Sequence, residues 1–290
     1  MLSAITFPAL GIEIDPSPVA FSIGGKAIYW YGIIIAFGFL LAYFLMAKKA
    51  PRFGLTNDNV LDMLFAGVPI GIVGARAYYC IFYWELFADN PISCLYIWEG
   101  GLAIYGGVIG GVIGLAVYSK LKKMPFWTVL DVASLGVIVG QICGRWGNFM
   151  NREAHGGETA SFLRMGLTAA DGTVRYYHPT FLYESLWNLI GLLLMHFISK
   201  KRKFDGQVAC FYFFWYGLGR AWIEGMRTDS LYLFGTGIRV SQLLAILCVI
   251  AAGGMLAYML FVRKADGSGL YAARAAEAEP AAEEAAENSQ

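Results

Sequence analysis

Charge is scarce in this chain. Only 15% of its 290 residues are Asp, Glu, Lys or Arg, against about 25% in ordinary soluble domains, and the mean hydropathy is +0.55. That shortage excludes a typical water-soluble domain. With a net charge of +1 and no basic face, the sequence also excludes recognition of nucleic acid. The three histidines, His155, His178 and His196, are too scattered for a metal site. The five cysteines, Cys80, Cys94, Cys143, Cys210 and Cys248, are odd in number and dispersed, so they read as packing residues rather than a disulfide framework. There is no His-Glu-x-x-His pair, no recognisable aspartate pair and no serine in a nucleophile-elbow setting, which removes the familiar hydrolase chemistries. The first 27 residues carry Glu13, Asp15 and three prolines where a leader would place a basic stretch and an apolar run; no cleavable signal peptide is expected.

What the chain has in abundance is apolar length. Hydrophobic residues make up 58% of it, and runs of about 20, the thickness of a bilayer core, recur too closely for soluble domains between them. Seven spans are read, beginning near Ile28, Val60, Gly101, Trp127, Pro179, Gly206 and Ile238 and ending near Ala47, Tyr83, Leu121, Gly144, Ile198, Met226 and Val262. Lys48, Lys49 and Arg52 follow the first, Lys120, Lys122 and Lys123 the third, Lys200 to Lys203 the fifth, and Arg263 and Lys264 the seventh. Because basic loops stay in the cytoplasm, the expected fold is an all-α, polytopic membrane protein with its N-terminus outside and its C-terminus inside. Residues 1–264 form the membrane domain, with a small extracytoplasmic segment around 145–178. Residues 265–290 read as an acidic, Ala- and Glu-rich cytoplasmic tail, disordered or loosely helical. Gly106, Gly110 and Gly114, and again Gly136, Gly140 and Gly144, stand four apart; such smooth helix faces serve close packing. No repeat relates the two halves, which weighs against a repeat-built transporter.

Ionisable residues within spans sharpen the reading, because each costs at least ~2.5 kcal/mol near the bilayer centre unless it faces protein, a partner or water. They include Asp62, Arg76, Asp131, Arg145, Glu184, Arg220 and Glu224. The topology puts Arg76, Arg145, Arg220 and Glu224, together with Tyr31, Tyr105 and the His178, Tyr183, Glu184 group, in one outer layer. Arg220 and Glu224 are also spaced for a salt bridge along one helix, and Tyr31 suits an interfacial aromatic belt. Arginines gathered toward the outer leaflet fit a phosphate, whose oxygens match the guanidinium fork. In a membrane the abundant phosphate is a lipid headgroup. Between the fourth and fifth spans, Gly144-Arg145-Trp146-Gly147-Asn148-Phe149-Met150-Asn151-Arg152-Glu153-Ala154-His155-Gly156 leaves an apolar helix with more polar capacity than a turn requires.

That stretch resembles the signature of the phosphatidylglycerol-prolipoprotein diacylglyceryl transferases, G-R-x-G-N-x-x-N-x-E-x-x-G. Gly144, Arg145, Gly147, Asn148, Asn151, Glu153 and Gly156 fit it. The resemblance continues through Tyr29 to Gly32, Gly74 to Arg76, Trp98 to Gly101, His178 to Glu184, and Tyr216 to Arg220 with Glu224 and Arg227. It implies transfer of the diacylglyceryl group of phosphatidylglycerol to the thiol of a lipobox cysteine in a prolipoprotein, forming a thioether and releasing glycerol phosphate, the first step of lipoprotein maturation. The partners implied are phosphatidylglycerol, signal peptides with a lipobox and the bilayer itself, in a bacterial cytoplasmic membrane with the active site outward. No metal or other cofactor is called for, and the nucleophile belongs to the substrate. Arg145 and Arg220 are expected to hold the phosphate as its charge grows, and Glu153 is a candidate base. Tyr31, Arg76, Asn148, Asn151, Gly156, His178, Tyr216 and Glu224 are expected around the substrate. One position departs from the pattern: Tyr105 stands where many members carry a histidine considered the base. An ordinary phenol titrates near about 10, above the cysteine thiol at about 8.5, and would be a poor base at neutral pH. A non-catalytic lipid-binding scaffold, or a transporter, is the competing reading.

Overall fold

Glycine spacing brings two helices into close contact along their length. In the computed structural model, which describes residues 4–169, 171–228, 232 and 236–277, α2 (Asn57–Phe82) and α3 (Ile104–Leu121) run antiparallel. Gly106 lies against Gly74, Gly110 against Ile70 and Gly114 against Ala66. A Cβ on Gly114 would fall 2.7 Å from the Ala66 carbonyl oxygen, so any larger residue would part the helices. Gly140 and Gly144 of the second set behave differently. A Cβ on Gly140 would meet nothing within 4 Å and one on Gly144 only the Ile35 side chain; spacing alone did not distinguish a packed glycine face from an open one.

The chain forms two compact units, one of Met46–Ala133 with Gly267–Gln290 and the other of Met1–Leu45 with Ser134–Asp266. In the unit built on α2 and α3, Thr56 opens α2 with a capping box: its hydroxyl accepts from the Asn59 N–H at 3.2 Å, and the Asn59 side chain accepts from the Thr56 N–H at 2.8 Å. Asp62 finds Lys122 just beyond α3 at 2.8 Å. Both side chains are well exposed, so the pair adds little stability, though it raises the Lys122 ammonium above its ordinary range. Residues 271–277 are helical, with Ala272 seated beside Gly54; the rest of the acidic tail, 278–290, lies outside the described residues.

The other unit contains most of α1 (Trp30–Lys49), the greater part of α4 (Phe126–Met150), and α5 (Thr180–Lys200), α6 (Gln207–Met226) and α7 (Val240–Ala257). Among the described residues, six helices are long and apolar enough to cross a membrane: Trp30–Phe53, Asn57–Phe82, Ile104–Leu121, Phe126–Met150, Thr180–Lys200 and Val240–Val262. The chain is thus an all-α polytopic membrane protein in its spanning part. The seventh expected span, α6, has the length at 20 residues but is outside that set, because Arg220, Glu224, its glycines and its tyrosines dilute its apolar content.

Two small sheets, absent from the all-α expectation, accompany the helices. β1 (Ile5–Phe7), β2 (Ile12–Ile14), β5 (Met165–Thr168) and β6 (Val174–Tyr177) form an antiparallel sheet in the order β2-β1-β5-β6. β3 (Val19–Ile23) and β4 (Lys26–Tyr29) form a hairpin through Gly24 and Gly25 at φ +56° and +78°, the left-handed pair that a tight hairpin turn demands. Ile5, Phe7, Met165, Leu167 and Phe181 bury together, with Phe149 packed against them. This core ties the four-stranded sheet to the end of α4 and the start of α5, where the polar residues collect. At the β5–β6 turn, Thr173 donates both its N–H and its hydroxyl to Asp171, holding that carboxyl below its usual range.

Candidate active site

Helix α4 does not end at Gly144 as its apolar pattern suggested. It continues to Met150, so Arg145 and Asn148 sit one turn apart on a helix rather than in a loop. From there Arg145 reaches α5, its Nη2 donating to Glu184 Oε1 at 2.8 Å, while its Nη1 donates to Asn148 Oδ1 at 3.2 Å. Arg220 of α6 approaches the other oxygen of the same carboxylate, Nη1 to Oε2 at 3.2 Å, and its Nη2 lies 2.6 Å from Glu224 Oε2. Three helices therefore converge on Glu184, whose side chain is only 4% exposed. Two cations face two anions, and that balance is what makes burying four charges tolerable. The guanidinium groups keep a little access, 17% for Arg145 and 16% for Arg220. Tyr216 stands one turn inward of Arg220 and stacks on Tyr212 with ring centroids 5.8 Å apart.

The end of α4 forms a second polar group. Glu153 Oε1 accepts from Asn148 Nδ2 at 2.9 Å and from Asn151 Nδ2 at 3.2 Å. Asn148 thus links Arg145 to Glu153, which gives the spacing of the signature a geometric meaning. Arg152 and Ala154, on either side of Glu153, have φ of +55° and +56°, a costly conformation for residues with a side chain. Tertiary contacts hold them there. Arg152 Nη2 pairs with Asp15 Oδ1 at 2.6 Å and donates to the Pro16 carbonyl at 2.9 Å; the Ala154 carbonyl accepts from the Thr180 hydroxyl at 2.7 Å. Gly156 donates to the His178 carbonyl at 2.9 Å and could not carry a Cβ, which would lie 2.7 Å from that of His178. The His178 ring makes a long 3.5 Å contact with the Tyr183 hydroxyl. Tyr31 lays its ring on Gly147, where a Cβ would come within 2.7 Å of it. With Asn151, Pro18 just before β3, and Ala27 and Tyr29 of β4, Tyr31 lines a mainly apolar cavity of about 570 Å³.

Arg76 and Tyr105 belong to the other unit. Arg76 is buried and donates through Nε to the Cys94 carbonyl (2.8 Å), through Nη1 to that of Gly100 (2.6 Å) and through Nη2 to that of Ser93 (2.7 Å). All three nitrogens serve loop 93–101, so Arg76, expected beside the substrate, builds a loop here. Tyr105 enters α3 in its first turn, its ring centroid 6.3 Å from that of Tyr78. Of the residues expected from sequence, Arg145, Asn148, Asn151, Glu153, Arg220 and Glu224 are brought into a chain of contacts. Glu184 is the site member that the sequence shows only as an intramembrane charge; a glutamate within a span facing two span arginines is the available signal. The service of Asp15 and Arg152 to the turn had none, since an exposed loop acid far away in sequence predicts no partner.

Half-buried arginines paired with held carboxylates across apolar helices define a class: polytopic membrane proteins with an ion-pair cluster among their helices. Comparison with known proteins narrows this, for the family model described as prolipoprotein diacylglyceryl transferase matches residues 18–258. Among curated relatives named phosphatidylglycerol–prolipoprotein diacylglyceryl transferase, the chain is 41% identical to that of Bacillus licheniformis over 256 residues, 86% of this chain and 94% of the relative. It is 44% identical to that of Lactobacillus delbrueckii subsp. bulgaricus over 267 residues, 88% and 96% of the two chains, and 40% identical to that of Halalkalibacterium halodurans over 247 residues, 82% and 85%. The chain belongs to the prolipoprotein diacylglyceryl transferase family.

Proposed function

We propose that this chain transfers the diacylglyceryl group of phosphatidylglycerol to the thiol of a lipobox cysteine in a prolipoprotein. The observation that carries the reading is the convergence of Arg145 and Arg220 on Glu184, within a family whose members bear that activity in their names. In the reaction a carbon–sulfur bond forms at the terminal glyceryl carbon while its bond to a phosphate oxygen breaks. The thiol proton goes to a base, and glycerol phosphate departs. The phosphate passes from a diester with one negative charge to a monoester with up to two. Donors of Arg145 and Arg220 therefore interact more strongly with the transition state than with the bound lipid, the condition for lowering the barrier. Glu184 and Glu224 keep the arginines from being two uncompensated cations before lipid arrives. Glu153, steadied by Asn148 and Asn151, is the base in this reading, and Tyr105 contributes a hydrogen bond to the lipid or the thiol.

Seven spans, an outside N-terminus and a cytoplasmic C-terminus complete the proposal, supported by basic residues after alternate spans. The membrane is then the bacterial cytoplasmic membrane, with Arg145 and Arg220 toward its outer side. The function is tested by incubating the purified chain with labelled phosphatidylglycerol and a peptide bearing a lipobox cysteine. Thioether-linked label on the peptide is expected; lipid binding without a thioether would instead establish a scaffold.

A further inference from the structure

One turn along from the arginine cluster, the same helices carry amide atoms with no hydrogen-bond partner among the described residues. Asn188 lies four residues after Glu184 on the buried face of α5 and is 0% exposed, and neither its Oδ1 nor its Nδ2 has a hydrogen-bond partner among the described residues. Gln141 lies four residues before Arg145 on α4. Its Nε2 donates to the Tyr212 hydroxyl of α6 at 2.8 Å, but its Oε1 is buried without a hydrogen-bond partner among the described residues. Contacts between α4 and α5 fix their level. Arg145 meets Glu184, the Ser185 hydroxyl reaches the Ile142 carbonyl at 3.4 Å, and a Cβ on Gly191 would touch Ile138. The helices are thus antiparallel, and Gln141 and Asn188 both fall between the Arg145–Glu184 and Ile138–Gly191 levels, about 6 Å inward of the cluster at 1.5 Å per residue.

Acyl chains cannot satisfy buried amides, and an unmet donor or acceptor in such surroundings is costly. The free groups define what would satisfy them. Two carbonyl oxygens repel an anion, and the absence of an acid from the set gives a cation no counter-charge. A hydroxyl both donates and accepts, and so matches Gln141 Oε1, Asn188 Oδ1 and Asn188 Nδ2.

We propose that Gln141 and Asn188 form a hydroxyl-binding subsite beneath the Arg145–Glu184–Arg220 cluster, and that it takes the glycerol end of the phosphatidylglycerol headgroup while the phosphate lies on the arginines. This rests on the proposed function, which supplies the lipid. A trapped water offers the same chemistry, and substrate preference separates the two occupants.

The experiment measures initial rates of thioether formation with phosphatidylglycerol and with phosphatidylpropanol, which has the same charge and acyl chains but no headgroup hydroxyl. Wild type should favour phosphatidylglycerol in kcat/KM by roughly 3- to 10-fold, the value of one neutral hydrogen bond. Asn188→Leu should lose that preference through a higher KM for phosphatidylglycerol, with phosphatidylpropanol little changed. Gln141→Leu, on a different helix, should behave alike and provides a second reading if the first variant folds poorly. Leu189→Ala, at an exposed position on α5, should leave the preference intact. Equal losses with both lipids in the leucine variants would overturn the headgroup occupant in favour of water. Wild-type kinetics with both lipids would overturn the subsite altogether. Failure of the wild-type chain to form any thioether would strike the proposed function instead.

Discussion

Replacing Glu184 by glutamine keeps the shape of the side chain and removes one charge from the centre of the cluster. The carboxylate receives Arg145 at 2.8 Å and Arg220 at 3.2 Å on separate oxygens. A glutamine has one acceptor oxygen and can serve only one of them; its amide N–H groups would face the other guanidinium, donor against donor. One charge-assisted hydrogen bond, about 1.5–3 kcal/mol, is lost and the survivor is weakened to a neutral acceptor by about 1 kcal/mol. The sum, about 2.5–4 kcal/mol, overlaps the ~3–5 kcal/mol found when a buried ion pair loses a partner. If the two arginines are aligned by Glu184 for the departing phosphate, that loss appears in the barrier as roughly 10²- to 10³-fold in kcat. Charge acts in the opposite sense on binding. The cluster moves from neutral to one net positive charge, so an anionic lipid should bind no more weakly. The signature of Glu184→Gln is therefore a collapsed kcat with a KM that is unchanged or lower, measured by initial-rate thioether formation on protein whose thermal unfolding shows it to be folded. A variant with normal kcat, or with normal kcat and a KM raised tenfold, would refute the alignment argument.

Arg145→Lys keeps the charge but cannot engage Glu184 and Asn148 through a planar fork, so transfer should fall by about 10²-fold; Arg263→Ala should remain near wild type in the same assay. Gly147→Ala would place a methyl 2.7 Å from the Tyr31 ring, and the ring must move; transfer should drop while helicity measured by circular dichroism is maintained. Tyr105→Phe should lose no more than about tenfold, the value of one neutral hydrogen bond, and Glu153→Gln considerably more. Abolished activity in Tyr105→Phe, with an ionisation missing from the pH–rate profile, would make the tyrosinate the base. For topology, with the five native cysteines replaced, cysteine at Gly157 should react with an impermeant thiol reagent in intact cells and cysteine at Ser268 should not; the reverse pattern would overturn the orientation.

By itself the sequence determined what its physics makes local or cumulative. Apolar runs recorded the spans because a bilayer demands about 20 such residues in succession, and the spacing of Gly106, Gly110 and Gly114 recorded a packed face because helical neighbours lie four apart. The motif from Gly144 to Gly156 carried the family because its residue types recur in order. Only the tertiary structure decided which charges meet. Glu184 stands 39 residues after Arg145 and 36 before Arg220, and whether a buried carboxylate faces one arginine, two or none depends on how three helices rotate about their axes. The same dependence decided where the donors of Arg76 go, to the carbonyls of Ser93, Cys94 and Gly100. It also left Gly140 in open space while Gly110 lies against the Ile70 backbone, because periodicity fixes a face of a helix and packing alone chooses what that face meets.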